Sequence, residues 1–311
     1  MMATLATAAV LQSALQPVWT YEALPQRGTE SIAYVCFTSE KTVMFVTDFG
    51  LVGWLHASSG KLAGSARIGQ AVYSGTAHGD RLWLRGPTNA LIEINATTGS
   101  IYQIHSIKDN MDLQVSDGSP YALRSRYDKP IEVLKLASMQ VVLTIPKELP
   151  SGRWTGAGAH NLEQFAAVIG RNLSIWNLAT GKQIRAQRLP LGDVMDIQYT
   201  PDDKQLAITY AEWAGTILYD AKTLKRVAGI RGTFFRPVFA HSLNLVANEG
   251  ASMSNRRRPA RLWIPGTDRV WDLSPEEAPR AVAFSPSDRQ LALGRKGTIS
   301  KYHVPPGVAR R

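Results

Sequence analysis

The chain has one cysteine in 311 residues, Cys36, so an intramolecular disulfide is excluded. Charged residues make up only 19% against 44% hydrophobic ones, which excludes a disordered, highly charged chain. Long apolar runs are missing as well. Residues 1–16 (MMATLATAAVLQSALQ) are small and apolar, but Gln12, Ser13 and Gln16 interrupt them and they are too short to span a bilayer. The first Lys or Arg is Arg27, so the basic start of an export signal is absent. Catalytic signatures are scarce too. There is no His-Glu-x-x-His and no Gly-x-Ser-x-Gly, and the six histidines have no metal-pair spacing. The segment GAGAHN at 156–161 opens like a dinucleotide loop but lacks the third glycine and a following helix. Adjacent carboxylates occur at Asp202-Asp203 and Glu276-Glu277, where a turn would point them apart into water. The pattern therefore calls for no cofactor, no metal and no catalytic residue.

What the chain does have is a period. WLHASSGK at 54–61 returns as INATTGS at 94–100, weakens to LASM at 136–139, then returns as WNLATGK at 176–182, YDAKTLK at 219–225 and WIPGTD at 263–268. The aligned turn positions are Gly60, Gly99, Met139, Gly181, Leu224 and Asp268, spaced by 39 to 44 residues. Glycine suits the position because a tight turn there needs positive φ. A second marker repeats in TPDDKQLA at 200–207 and SPSDRQLA at 285–292, where Pro and Asp form a turn ahead of a half-buried strand. A repeat of about 40 residues holding four short strands is the signature of a propeller blade.

Seven units follow, at about 31–70, 71–109, 110–150, 151–190, 191–232, 233–277 and 278–304. The last holds three strands, near Arg280–Ser285, Gln290–Gly294 and Thr298–Val304, and lacks a fourth. The segment 17–24 alternates as a strand should and precedes the first unit. It supplies the missing strand and closes the ring, which removes exposed sheet edges. The domain reading is an N-terminal arm or signal-like segment at 1–16, a seven-bladed all-β propeller at 17–304, and a basic tail at 305–311. Cys36, between Val35 and Phe37 in the first strand, is expected to be buried.

These repeats resemble the WD40 family. Trp176-Asn177 and Tyr219-Asp220 stand where such repeats carry Trp-Asp. The literal Trp271-Asp272 falls a strand late, and the family's Gly-His pair is absent throughout. The resemblance covers about 17–304 and implies a non-enzymatic interaction scaffold.

Charge points to the interacting face. Residues 251–311 hold ten Arg and two Lys against three Asp and two Glu, which is +7 of the chain's +10. Loops between second and third strands emerge together on one face of a propeller. They carry Arg124, Arg126 and Lys129, then Arg171, then the insert with Arg256, Arg257 and Arg258, then Arg295 and Lys296. Phe49, Tyr127 and Trp213 interleave with them. Such a ring focuses positive potential on an anionic partner. The candidate partner-binding residues are Arg126, Lys129, Arg171, Trp213, Arg256, Arg257, Arg258, Arg295 and Lys296. Partners are expected to be proteins of a multi-subunit assembly in the cytoplasm, with nucleic acid or another polyanion as the alternative. A secreted propeller enzyme of quinoprotein or lactonase type is the other rival, and it would need an export signal and ligands converging in the channel.

Overall fold

Strands buried on both faces must pack between neighbours, and a ring of blades satisfies every one of them. In the computed structural model, the described residues are 15–23, 30–87, 90–106, 112–115, 119–125, 129–146, 154–191, 193–211, 215–230, 235–249, 251–253, 256–273 and 281–310, with the backbone alone for 235, 251–253 and 256–258. They form seven four-stranded antiparallel sheets.

The first blade holds β2 (Ile32–Ser39), β3 (Thr42–Thr47), β4 (Leu51–His56) and β5 (Leu62–Arg67). The second holds β6 (Ser74–His78), β7 (Arg81–Arg85), β8 (Ala90–Asn95) and β9 (Ile101–Ser106). The third holds β10 (Asp112–Val115), β11 (Tyr121–Ser125), β12 (Ile131–Lys135) and β13 (Gln140–Ile145). The fourth holds β14 (Trp154–Gly158), β15 (Gln164–Ile169), β16 (Asn172–Asn177) and β17 (Lys182–Arg188). The fifth holds β18 (Val194–Tyr199), β19 (Gln205–Tyr210), β20 (Gly215–Asp220) and β21 (Arg226–Ile230). The sixth holds β22 (Phe235–Phe239), β23 (Val246–Glu249), β26 (Arg261–Trp263) and β27 (Val270–Asp272), with a separate hairpin of β24 (Ala251–Met253) and β25 (Arg256–Arg258) between its second and third strands. The seventh holds β28 (Ala281–Phe284), β29 (Gln290–Gly294) and β30 (Thr298–His303). Its fourth strand is β1 (Trp19–Glu22), paired antiparallel with β30 from Trp19↔Lys301 to Glu22↔Thr298. The ring is therefore closed by the N-terminal strand, as the leftover segment implied.

Seven buried clusters lie one at each blade interface among the described residues. The interface of the first and second blades, for example, packs Met44, Val46 and Trp54 against Leu82, Leu84 and Ile92. Middle strands such as β3 and β8 are buried along nearly their whole length, while the outermost β5 and β9 are largely exposed. Cys36 is buried at 8% exposure.

The repeated turn joins third and fourth strands. In five blades its last amide bonds back four residues, from Gly60 to His56, Gly99 to Asn95, Met139 to Lys135, Gly181 to Asn177 and Leu224 to Asp220. All five residues have positive φ, so Met139 and Leu224 adopt the conformation that glycine adopts freely. In the sixth blade the sequence alignment placed this position at Asp268. Ile264 N–H still bonds the Arg269 carbonyl, the same span as His56 to Lys61, but the positive-φ residue inside this turn is Gly266 and the inner amide bond runs from Thr267 N–H to the Ile264 carbonyl. The residue in the Asp position of the Trp-Asp motif has a local task. Asn177 accepts from Thr180 N–H at 2.8 Å, and Asp220 from Thr223 N–H at 2.6 Å, so each caps its own turn.

A second device links neighbouring blades. The Ala57 carbonyl accepts from Trp19 Nε1 at 2.9 Å and from Lys301 Nζ at 2.7 Å. The matching Ala96 carbonyl accepts from Trp54 Nε1 at 3.0 Å, and Ala221 from Arg185 Nη1 at 2.9 Å. In each case the donor belongs to the preceding blade.

The dinucleotide-like segment at 156–161 is the inner strand β14 and the turn after it. Gly158 is required there by close approach, since an added Cβ would lie 2.2 Å from the Tyr121 ring.

Candidate interaction faces

Turns from first to second and from third to fourth strands share one face, called here the turn face. Loops from second to third strands and the links between blades share the other, the connection face.

Of the residues expected to bind a partner, Arg126 and Trp213 lie outside the described residues, as do the side chains of Arg256, Arg257 and Arg258. The backbone of the latter three forms β25, in register with β24 from Ala251↔Arg258 to Met253↔Arg256. Lys129 is exposed in the third blade's loop, whose carbonyl at Lys129 accepts from Ser125 Oγ at 3.4 Å. Arg124 lies within β11 and pairs with Glu132 at 2.5 Å.

Arg171, which is exposed, and Arg295, which is half-buried, both bond their guanidinium groups to neighbouring protein groups. Arg171 donates through Nε and Nη2 to the Leu189 carbonyl at 3.1 and 2.9 Å and through Nη2 to the Pro190 carbonyl. It thus ties its loop to the link leading into the fifth blade. Arg295 donates through Nη2 to Tyr302 OH at 2.8 Å and Ser300 Oγ at 3.2 Å. Lys296 beside it is exposed and bridges to Ser31 through the backbone. Cations are not confined to the connection face: exposed Lys41, Lys61, Lys204, Lys222 and Lys225 lie in turns of the opposite one.

The turn face overturns one expectation. Asp203, read from sequence as a solvated turn carboxylate, accepts from His160 N–H at 2.8 Å, His160 Nδ1 at 3.0 Å and Asn161 N–H at 2.8 Å. Those donors belong to the fourth blade, so the carboxylate joins two blades. Asp288 does the same between the sixth and seventh. It is fully buried and accepts from His241 N–H (2.7 Å), His241 Nδ1 (2.9 Å), Ser242 N–H (2.6 Å), Ser242 Oγ (2.8 Å) and Leu243 N–H (3.2 Å). Both aspartates have positive φ, a conformation that Asp tolerates and that turns the carboxylate back onto the preceding blade. At the closing seam Ser287 donates through its N–H and its Oγ to Glu40 of the first blade.

The charges respond to this geometry. The hydrogen bond to Asp288 raises the His241 pKa above its ordinary value, against the opposing effect of burial. Burial alone would push the Asp288 carboxyl up, but the His241 and Ser242 hydrogen bonds together hold it well below the usual carboxylate range. A sequence signal for these latches exists: AHNL at 159–162 recurs as AHSL at 240–243, and TPDD at 200–203 as SPSD at 285–288.

At the turn-face mouth of the central channel is a cavity of about 250 Å³, lined among others by Cys36, Phe37, His160, Gln198, His241 and Phe284. Among the described residues, no group of three or more His, Cys, Asp or Glu is placed to hold a metal ion. No helix among them is long and apolar enough to cross a membrane.

No family model matches the sequence, and no curated protein matches it. Among solved structures, a chain in the crystal structure of the mitotic checkpoint complex is similar at a TM-score of 0.68 and 13% identity, over 95% of this chain and 94% of that one. In all 1714 solved chains match, so the likeness identifies an architecture and not an activity. That architecture is the seven-bladed β-propeller.

Proposed function

We propose that this propeller is a non-enzymatic scaffold subunit of a multi-protein, cytoplasmic assembly, and that its connection face receives an anionic protein partner. One observation carries the reading. Among the described loops between second and third strands, that of the sixth blade forms a sheet of its own, and its second strand is three consecutive arginines. A loop lengthened into an ordered hairpin is where a rigid scaffold commonly carries its binding residues. The fold neighbour's membership of a multi-protein complex fits the same role.

The test uses fluorescein-labelled polyglutamate and a duplex DNA of matched charge as probes. Wild-type protein should bind polyglutamate, and the R256E/R257E/R258E variant should bind it more weakly at 0.1 M salt. The difference should shrink at 1 M, where the Debye length falls from about 10 Å to about 3 Å. Equal polyglutamate affinity for the two proteins at low salt overturns the reading. Binding of the duplex without polyglutamate replaces it with the nucleic-acid alternative.

A further inference from the structure

We infer that the connection face at the seam between the seventh, first and second blades is a docking platform for a short extended polypeptide segment carrying a large apolar side chain beside carboxylates. This rests on the connection face being the binding face, and it places the anchor away from the arginine hairpin.

Phe49 and Tyr73 are each 60% exposed, more than any other large hydrophobic residue described, and the next is Val227 at 52%. Scattered apolar side chains are ordinary on a surface, but the backbone segments that carry these two lie side by side. Val72 N–H donates to the Asp48 carbonyl at 3.0 Å, and Ile68 N–H to the Gly50 carbonyl at 3.0 Å, which fixes the Phe49 loop against the segment leading to Tyr73. On its other side the same loop is held by Asp48 N–H on the Ser31 carbonyl at 2.9 Å and by Ser31 N–H on Asp48 Oδ1 at 3.0 Å. Ser31 in turn bridges to exposed Lys296. The order across the face is therefore Lys296, Ser31, Asp48, Val72.

Neighbouring extended segments lie about 4.8 Å apart, so this platform spans roughly 14 Å, the reach of four or five extended residues. Its aromatic groups stand on backbone that is already fixed, so binding loses little conformational entropy. Lys296 supplies the charge to which a carboxylate is complementary. A nucleic-acid strand fits less well. The segments 31, 48–50, 68–73 and 295–297 carry two cations, and the guanidinium of Arg295 is bonded to Tyr302 and Ser300. A phosphate backbone gains its affinity from several neutralised charges.

The full chain is to be panned against a displayed heptapeptide library. Enriched peptides should pair a Leu, Ile, Phe or Trp with adjacent Asp or Glu. A labelled consensus peptide should bind F49A/Y73A at least about tenfold more weakly than wild type, as for hot-spot aromatics, and K296E a few-fold more weakly at low salt. Melting temperatures of both variants should equal the wild type's, because exposed positions contribute little to stability. Three outcomes overturn the inference: no such enrichment, an unchanged affinity in F49A/Y73A, or preferential binding of single-stranded oligo-dT that F49A/Y73A abolishes. Peptide binding lost in R256E/R257E/R258E but kept in F49A/Y73A would overturn it while leaving the hairpin reading intact. The reverse pattern supports the platform and counts against the hairpin.

Discussion

Replacing Asp288 with alanine removes the acceptor for three backbone amides, a serine hydroxyl and an imidazole at once. A hydrogen bond to a charged acceptor contributes about 1.5–3 kcal/mol when buried. His241 and Ser242 are in contact with water, so a figure of about 1 kcal/mol for each of the four non-imidazole bonds is the fitting one. The half-exposed ring itself adds under about 1 kcal/mol. Alanine at positive φ costs about 1 kcal/mol more. The expected loss is about 5 kcal/mol, which for a chain of this length corresponds to roughly 8 °C in melting temperature. Asp288→Gly should lose about 1 kcal/mol less than Asp288→Ala, because glycine relieves the backbone term alone.

The loss should also depend on pH. His241 has a raised folded pKa, so its contribution is complete below the ordinary imidazole value near 6.5 and disappears as pH rises through the folded value. Asp288 has a lowered folded pKa, so its contribution is complete above the ordinary carboxyl value near 3.9 and disappears as pH falls through the folded value. The wild-type advantage over Asp288→Ala should therefore be greatest between about pH 4 and 6.5 and smaller on either side. Scanning calorimetry at one fixed scan rate, from pH 3 to 9, measures it. Melting temperatures within 1 °C of each other at about pH 5.5 would refute the reasoning.

Two further outcomes follow from closure and packing. Deleting residues 1–25 removes β1 and with it the Trp19 bond to Ala57, so the variant should expose the β30 edge and aggregate; a monomer of wild-type melting temperature on size-exclusion chromatography would contradict this. Gly158→Ala should lose about 1–3 kcal/mol in urea denaturation, because the new methyl meets the Tyr121 ring; full stability would mean that ring can move aside.

The period, the seven blades and the strand that closes them were legible because each depends on local pattern: alternation, turn residues and a leftover strand. The last unit's strands were expected near 280–285, 290–294 and 298–304 and are observed at 281–284, 290–294 and 298–303. The sixth turn keeps the length and register expected of it, but Pro265-Gly266 places the positive φ two residues ahead of Asp268, which a spacing alone does not reveal. Asp203 was misread for a different reason. Its partners lie some forty residues away in another blade, and a turn composition alone says only that the residue is near water. Arg171 and Arg295 are alike in sequence to any loop cation, and only tertiary placement reveals carbonyl and hydroxyl partners for them. Tyr73 was not singled out, because in the run QAVY it looks like one more strand residue.

The carbonyls of Ala57, Ala96 and Ala221 lead to a different kind of consequence. An acceptor made of main chain is present whatever side chain the position carries. Its partner is a tryptophan in two cases, a lysine alongside one of them, and an arginine in the third. Any long side chain with an N–H at its end satisfies the contact. Substitution can therefore proceed through indole, ammonium and guanidinium at these seams without moving one blade against the next. A ring joined in this way can lose the wording of its repeats while keeping their geometry.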